Sequence, residues 1–201
     1  MSTSLSHLTR RIGMLGALTG VALAAGLAVA APAQAGTTLR VATVQCIEET
    51  DEVGDDSPYF LVFAASTTNP GATAFGKWGP GGWDAEVASG ETYYPNASIV
   101  SGVSSGWLLI SVMLEEDYDN DLSAGEITWI GNNMYNQYQI SFWKDAATRN
   151  SELRNTLRNT TNMYLSNDEL VATAATTASV SGTWATYVGD GGNYKVKYTL
   201  P

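Results

Sequence analysis

Residues 194–200 alternate strictly: Tyr194, Val196, Tyr198 and Leu200 are separated by Lys195, Lys197 and Thr199. Successive side chains of a strand point to opposite faces, so this run predicts one buried and one wet face. An antiparallel sheet offers that environment. Gly189-Asp190-Gly191-Gly192-Asn193 joins it to Thr183–Val188 as a hairpin. Strand-like runs recur upstream at Leu39–Ile47, Tyr59–Ser66, Thr73–Trp78, Thr92–Val100 and Trp107–Leu114. Turn residues divide them, among them Asn69-Pro70-Gly71 and the Gly- and Pro-rich loop 79–91. One stretch breaks the two-residue period. Ile130, Met134 and Tyr138, then Leu153, Leu157, Thr160 and Tyr164, recur at helical spacing. They predict one or two helices within 127–165, interrupted near Lys144–Asn150, and Ser166 with Glu169 predicts the cap of a short further helix. The expected fold is mainly β, an antiparallel β-sandwich with a helical insertion near 127–165.

The N-terminus reads differently. Arg10 and Arg11 precede an apolar stretch rich in Ala and Gly, Ile12–Ala31, and Ala33-Gln34-Ala35 has the small-x-small pattern of a cleavage site. This predicts a signal peptide over 1–35, a secreted protein, and a single domain over 36–201. An uncleaved membrane anchor is the alternative for the leader, and Thr9-Arg10-Arg11 hints at twin-arginine export. No other stretch is long and apolar enough to span a membrane, so the mature chain is expected to have no transmembrane segment.

Composition then removes several classes of function. The leader carries two basic residues and no acids, which leaves the mature chain with 8 basic and 20 acidic residues. Nucleic acid is a poor partner for such a charge balance. The sole histidine, His7, lies in the leader, so the mature chain has no imidazole for a Ser-His-Asp or Cys-His relay and no His for a zinc site. A single cysteine, Cys46, excludes an intramolecular disulfide; on a strand it reads as a small buried hydrophobe, an intermolecular disulfide being the alternative.

The acids are not spread evenly. Glu48, Glu49, Asp51, Glu52, Asp55 and Asp56 follow the first strand, and Glu115, Glu116, Asp117, Asp119 and Asp121 follow the fifth, together 11 of the 20 acids. If the strands alternate in direction, loops 48–58, 79–91 and 117–125 meet at one end of the domain. Carboxylates gathered there repel unless solvent screens them or a hard cation neutralises them, and calcium takes six to eight oxygen ligands of this kind. An EF-hand is excluded: the loop starting at Asp117 has Leu122 where Gly is required and Thr128 where Glu is required.

"DEVGDDSPYFLVF" resembles the first calcium loop of C-two domains, the β-sandwich modules of synaptotagmins and protein kinase C. Asp51, Gly54, Pro58 and Tyr59 match at the family's spacing, followed by Phe60, Leu61 and Val62. "DYDNDLSAGEI" resembles their third loop through Asp117, Asp119, Gly125, Glu126 and Ile127. The order Asp56-Ser57 is exchanged relative to the family, the second-loop ligand has no clear counterpart beyond Asp84 or Glu86, and the helical stretch is foreign to it. The resemblance implies calcium held by Asp51, Asp56, Asp117 and Asp119, with Asp55 and Asp121 in reserve, and a phospholipid reached through the ion.

Two other readings stand beside a non-enzymatic calcium module. Trp83, Tyr93 and Tyr94 in or beside the Gly-rich loop suit a carbohydrate-binding module stacking on polysaccharide, with Trp78, Trp107, Trp129, Trp143 and Trp184 expected in the core or at its edge. An acidic structural domain without ligand, its loops merely solvated, is the other. Four of the eight mature basic residues fall within 144–158, which suits an acidic partner or a solvated helix face. Among enzymes, Gly102-Val103-Ser104-Ser105-Gly106 matches a nucleophile elbow but precedes a strand instead of a helix. A glycoside hydrolase needs only two carboxylates, for which Glu126 near Trp129 is the candidate. The expectation is a protein without enzymatic activity.

Overall fold

The computed structural model describes residues 36–50, 57–79, 87–115, 122–165 and 169–201. Among the described residues, nine strands and two helices follow in order: β1 Thr37–Glu48, β2 Pro58–Ala65, β3 Thr73–Trp78, β4 Thr92–Tyr93, β5 Ala97–Val103, β6 Leu108–Glu115, α1 Ala124–Ser141, α2 Ala146–Asn162, β7 Glu169–Thr177, β8 Thr183–Gly189 and β9 Gly192–Thr199. They form two antiparallel sheets. One runs β4-β1-β9-β8, with β5 also paired to β1; the other runs β3-β2-β6-β7. The chain is a mainly β sandwich in which the helices interrupt the second sheet between the neighbouring strands β6 and β7.

The second sheet is the middle layer. All eight residues of β2 and all eight of β6 are buried. Alternate residues serve different cores. Phe60, Val62, Leu109 and Met113 face the first sheet, where they meet Leu39, Val44, Val196 and Tyr198. Tyr59, Leu61, Phe63, Ile110 and Val112 face the helices, where they meet Ile130, Met134, Tyr138, Leu153 and Leu157. A strand covered on both faces has no wet side, which is why PYFLVFAA and LLISVMLE read as apolar runs, whereas β9 alternates.

Strand β1 shows how a sequence switches phase. Leu39 and Val41 point inward, then Val44 and Cys46 do. Its pairing with β9 shifts between Val41 and Thr43, so the extra residue, Ala42, reverses the parity. On its other edge, β4 and β5 succeed each other end to end. The single strand expected over Thr92–Val100 is broken by Pro95, which has no N–H to donate, and by Asn96 at φ 44°.

Both helices start on side-chain caps. Ser123 Oγ accepts from Glu126 N (3.3 Å) while Glu126 Oε2 accepts from Ser123 N (2.7 Å). Asp145 Oδ1 accepts from Thr148 N at 2.9 Å. Each arrangement satisfies N–H groups that a helix start leaves unpaired. The short helix expected from Ser166 and Glu169 does not form at Glu169, which opens β7; 166–168 lie outside the described residues. The stretch ELVATAATT lacks alternating large apolar groups, and pairing with β6 over its length decides its conformation.

A buried hydroxyl chain crosses the core between the sheets. Ser111 Oγ lies 2.6 Å from Tyr187 Oη, which lies 2.7 Å from Tyr198 Oη. Burial pushes the Tyr187 hydroxyl up to about 12, against the opposing effect of its hydrogen bonds to Ser111 and Tyr198. Burial also raises Tyr198 well above the ordinary tyrosine range, reinforced by Tyr187. Folded-state values above the unfolded one mean that the native state holds its protons more tightly. Stability is therefore full below about pH 10 and falls as pH rises toward about 12. The hydrogen-bonded pair of Tyr187 and Tyr198 shares this loss, which is readable by urea unfolding across the alkaline range. A Tyr187→Phe, Tyr198→Phe variant is expected to lose most of that slope.

Candidate functional site

Register, followed strand by strand, gathers the flanks of the acidic runs. Pro58 at the start of β2 is the partner of Glu115 at the end of β6, and Glu115 is the partner of Glu169 at the start of β7. Phe60 pairs with Trp78, the last residue of β3. In the other sheet Glu48, ending β1, pairs with Asn193 near the start of β9, and Gly192 lies against Thr50. Gly189, ending β8, approaches the Val171 carbonyl of β7 so closely that a Cβ would sit 2.0 Å from it. The ends of β1, β3, β6 and β8 and the starts of β2, β7 and β9 therefore share one pole.

The acids proposed to bind metal, Asp51, Asp55, Asp56, Asp117, Asp119 and Asp121, lie outside the described residues, as do Trp83, Asp84 and Glu86. What is described is their framework. Glu115 is buried at 4% exposure and its Oε1 accepts from Ser57 N at 3.2 Å. One side chain thus ties the residue after Asp56 to the residue before Glu116. The segment after the Gly-rich loop is tied to the same pole: Cys46 N donates to Glu91 O (3.1 Å), Gly90 N to Cys46 O (3.1 Å), and Ser89 Oγ bonds Glu49 Oε2 (2.8 Å). Among the described residues, no group of three or more His, Cys, Asp or Glu is placed to hold a metal ion.

The remaining candidates resolve into structural roles. Leu122 is a core residue at 4% exposure. Gly125, Glu126 and Ile127, the end of the third-loop resemblance, form the first turn of α1. The Glu126 carboxylate caps that helix, and hydrogen bonds from the Ser123 side chain and backbone hold it below the usual range, opposite to what a general acid requires. Its neighbour Trp129 meets Tyr164 edge-on at 5.4 Å. Ser104 sits in a turn between β5 and β6, its carbonyl accepting from Trp107 N, so no helix follows it as a nucleophile elbow requires. Cys46 is buried within the sandwich core.

The tryptophans divide. Trp78 stacks on Phe60 at 5.7 Å, and Trp107 packs against the sandwich core. Trp143 is 83% exposed where α1 ends, contrary to the expected core or edge position, because it follows the buried stripe Ile130, Met134, Tyr138 and Ser141 out of helical phase. Trp184 is 48% exposed on the outer face of β8.

A concave site escaped the sequence reading. Between β3 and α1 lies a cleft of about 390 Å³. Phe63 is in its lining, Phe75 and Tyr135 supply aromatic surface, and Thr73, Thr128 and Asn132 supply polar groups. Gly131 makes the approach possible, since a Cβ there would meet Phe75 Cδ1 at 2.8 Å. The only sequence signal for this cleft is a glycine inside a helical pattern, which marks close approach without naming what approaches.

No family model matches this chain, and no curated protein or solved structure is significantly similar to it. Among the described residues, no helix is long and apolar enough to cross a membrane.

Proposed function

We propose that the chain is a secreted, non-enzymatic calcium-binding module whose ion is held at the acidic pole by Asp51, Asp56, Asp117 and Asp119, with Asp55 and Asp121 completing the set. The observation that carries this reading is the pairing of Pro58 with Glu115, fastened by the Glu115 hydrogen bond to Ser57. It roots the two acidic runs on adjacent strand ends. Two runs of like charge that leave adjacent strand ends repel unless solvent or a cation screens them. A divalent cation relieves that repulsion, and hard carboxylate oxygens are the ligands calcium prefers.

The acidic character of the chain makes the ion the means by which an anionic partner is reached. A phospholipid head group or an acidic polysaccharide would complete the coordination of calcium. Isothermal titration of calcium into the metal-stripped protein tests the reading. Binding in the range usual for extracellular modules, about 10⁻⁴ to 10⁻³ M, is expected, with magnesium failing to reproduce it. Asp117→Asn should abolish the heat while leaving the β-sheet circular dichroism unchanged. Absence of binding up to millimolar calcium would leave the acidic runs as solvated loops.

A further inference from the structure

We propose that the cleft between β3 and α1 binds an uncharged sugar unit of a glycan, stacked between Phe75 and Tyr135 and hydrogen-bonded by Asn132, Thr73 and Thr128. The cleft's volume, about 390 Å³, falls within the roughly 300–1,000 Å³ in which proteins enclose small ligands. Its residues are independent of the acidic pole, so this site and the calcium reading stand or fall separately.

The lining selects the chemistry. Among the described residues the cleft's lining has no charged side chain, so an ionic ligand would enter without a counter-charge from them. A wholly apolar ligand would strip water from the Asn132 amide and two hydroxyls and give nothing back. A pyranose has what is missing, an apolar C–H face for an aromatic ring and a rim of hydroxyls for amides and alcohols.

The side chains are also uncommitted. Tyr135 is 41% exposed and lies beside, not within, the buried stripe of α1. Within the described residues, no hydrogen bond or ring contact engages the side chain of Tyr135 or Asn132, whereas the next residue, Asn133, donates to the Trp129 carbonyl at 2.8 Å. Thr128, which lines the cleft, donates its Oγ1 hydrogen to the Ala124 carbonyl at 2.7 Å, so its hydroxyl is left to act as an acceptor.

The walls are fixed before any ligand arrives. The Tyr138 hydroxyl donates to the Ser66 carbonyl and Gln139 Nε2 to the Pro70 carbonyl, pinning α1 to the β2–β3 turn. Phe63 meets Tyr138 edge-on at 5.8 Å. Preorganised walls cut the ordering cost of binding.

The test is two-dimensional NMR of the protein with millimolar cellohexaose, maltohexaose, xylohexaose, mannohexaose and chitohexaose, each alone. At least one is expected to shift the signals of Thr73, Phe75, Thr128 and Asn132. Tyr135→Ala and Asn132→Ala should each weaken that binding by about tenfold or more, with melting temperature unchanged because both residues are exposed. No shift with any of the five overturns the proposal, as do shifts confined to other residues or binding that survives both substitutions. Preferential binding of toluene or oligogalacturonate to the cleft overturns it too, since those ligands are the apolar and charged classes the lining excludes.

Discussion

Phe63→Ala is expected to lower the free energy of unfolding by about 3–5 kcal/mol. Phe63 lies on β2 with 1% of its surface exposed and belongs to the core that joins the second sheet to the helices. Its ring meets Tyr138 of α1 edge-on. Tyr138 is itself held through its hydroxyl to Ser66, and burial raises its pKa. Neither wall can collapse into the space left behind, because β2 is paired on both sides and α1 is pinned at its C-terminal end. Guanidinium unfolding followed by circular dichroism reads the loss. A loss below about 1 kcal/mol would mean that the helices do not share a rigid core with the sheet.

Gly76→Ala is the second large effect, through overpacking instead of a void. Gly76 sits in β3, opposite Val62 of β2, where the edge of one sheet approaches β5 of the other. A Cβ there would stand 2.2 Å from the Ile99 carbonyl oxygen and 3.3 Å from Val100 Cβ. A backbone carbonyl cannot swing aside as a side chain can, so the two strands must separate, at a cost of about 1–3 kcal/mol or more. Gly125→Ala is the internal control. Its nearest foreign atom, Ser123 Oγ, is 3.9 Å away, and it lies in the first turn of α1. There the substitution should stabilise by up to about 0.5–1 kcal/mol, because alanine loses less backbone freedom. Opposite signs for two glycine-to-alanine changes would identify close approach, not glycine content, as what closes the edge of the sandwich.

How far the fold was legible depended on how many faces of an element are covered. β9 has one wet face and shows it as alternating Tyr, Lys, Val and Lys. The helices show their single buried stripe at four-residue spacing, and Leu153, Leu157 and Thr160 are buried as expected. β2 and β6 were legible as strands but not as a middle layer, since an apolar run states that both faces are covered without stating by what. β7 was not legible, because its Ala and Thr residues carry little preference and its pairing with β6 decides. Thr92–Val100 was legible as extended chain but not in its break at Pro95 and Asn96, nor in the continuation of β5 to Val103.

The candidate sites divide in the same way. The acidic runs stand out in the sequence because like charges in succession are costly, and alternating strand direction predicts the common pole that the described strand ends share. The cleft was hidden because its aromatic and polar residues come from elements far apart in the chain, and Phe75, Asn132 and Tyr135 each look ordinary where they stand. Ser104 and Glu126 show the converse: residue types that suit catalysis, placed in a turn and a helix cap.

Thermal unfolding of the metal-stripped protein, with and without calcium, tests the central claim most directly. A ligand that binds only the native state must stabilise it, by about 2.7 kcal/mol at a hundredfold excess over its dissociation constant. The account predicts a rise in melting temperature that magnesium does not reproduce and that Asp117→Asn abolishes. An unchanged melting temperature up to about 10 mM calcium, at least about tenfold above the expected dissociation constant, in a protein that still unfolds cooperatively, would contradict it.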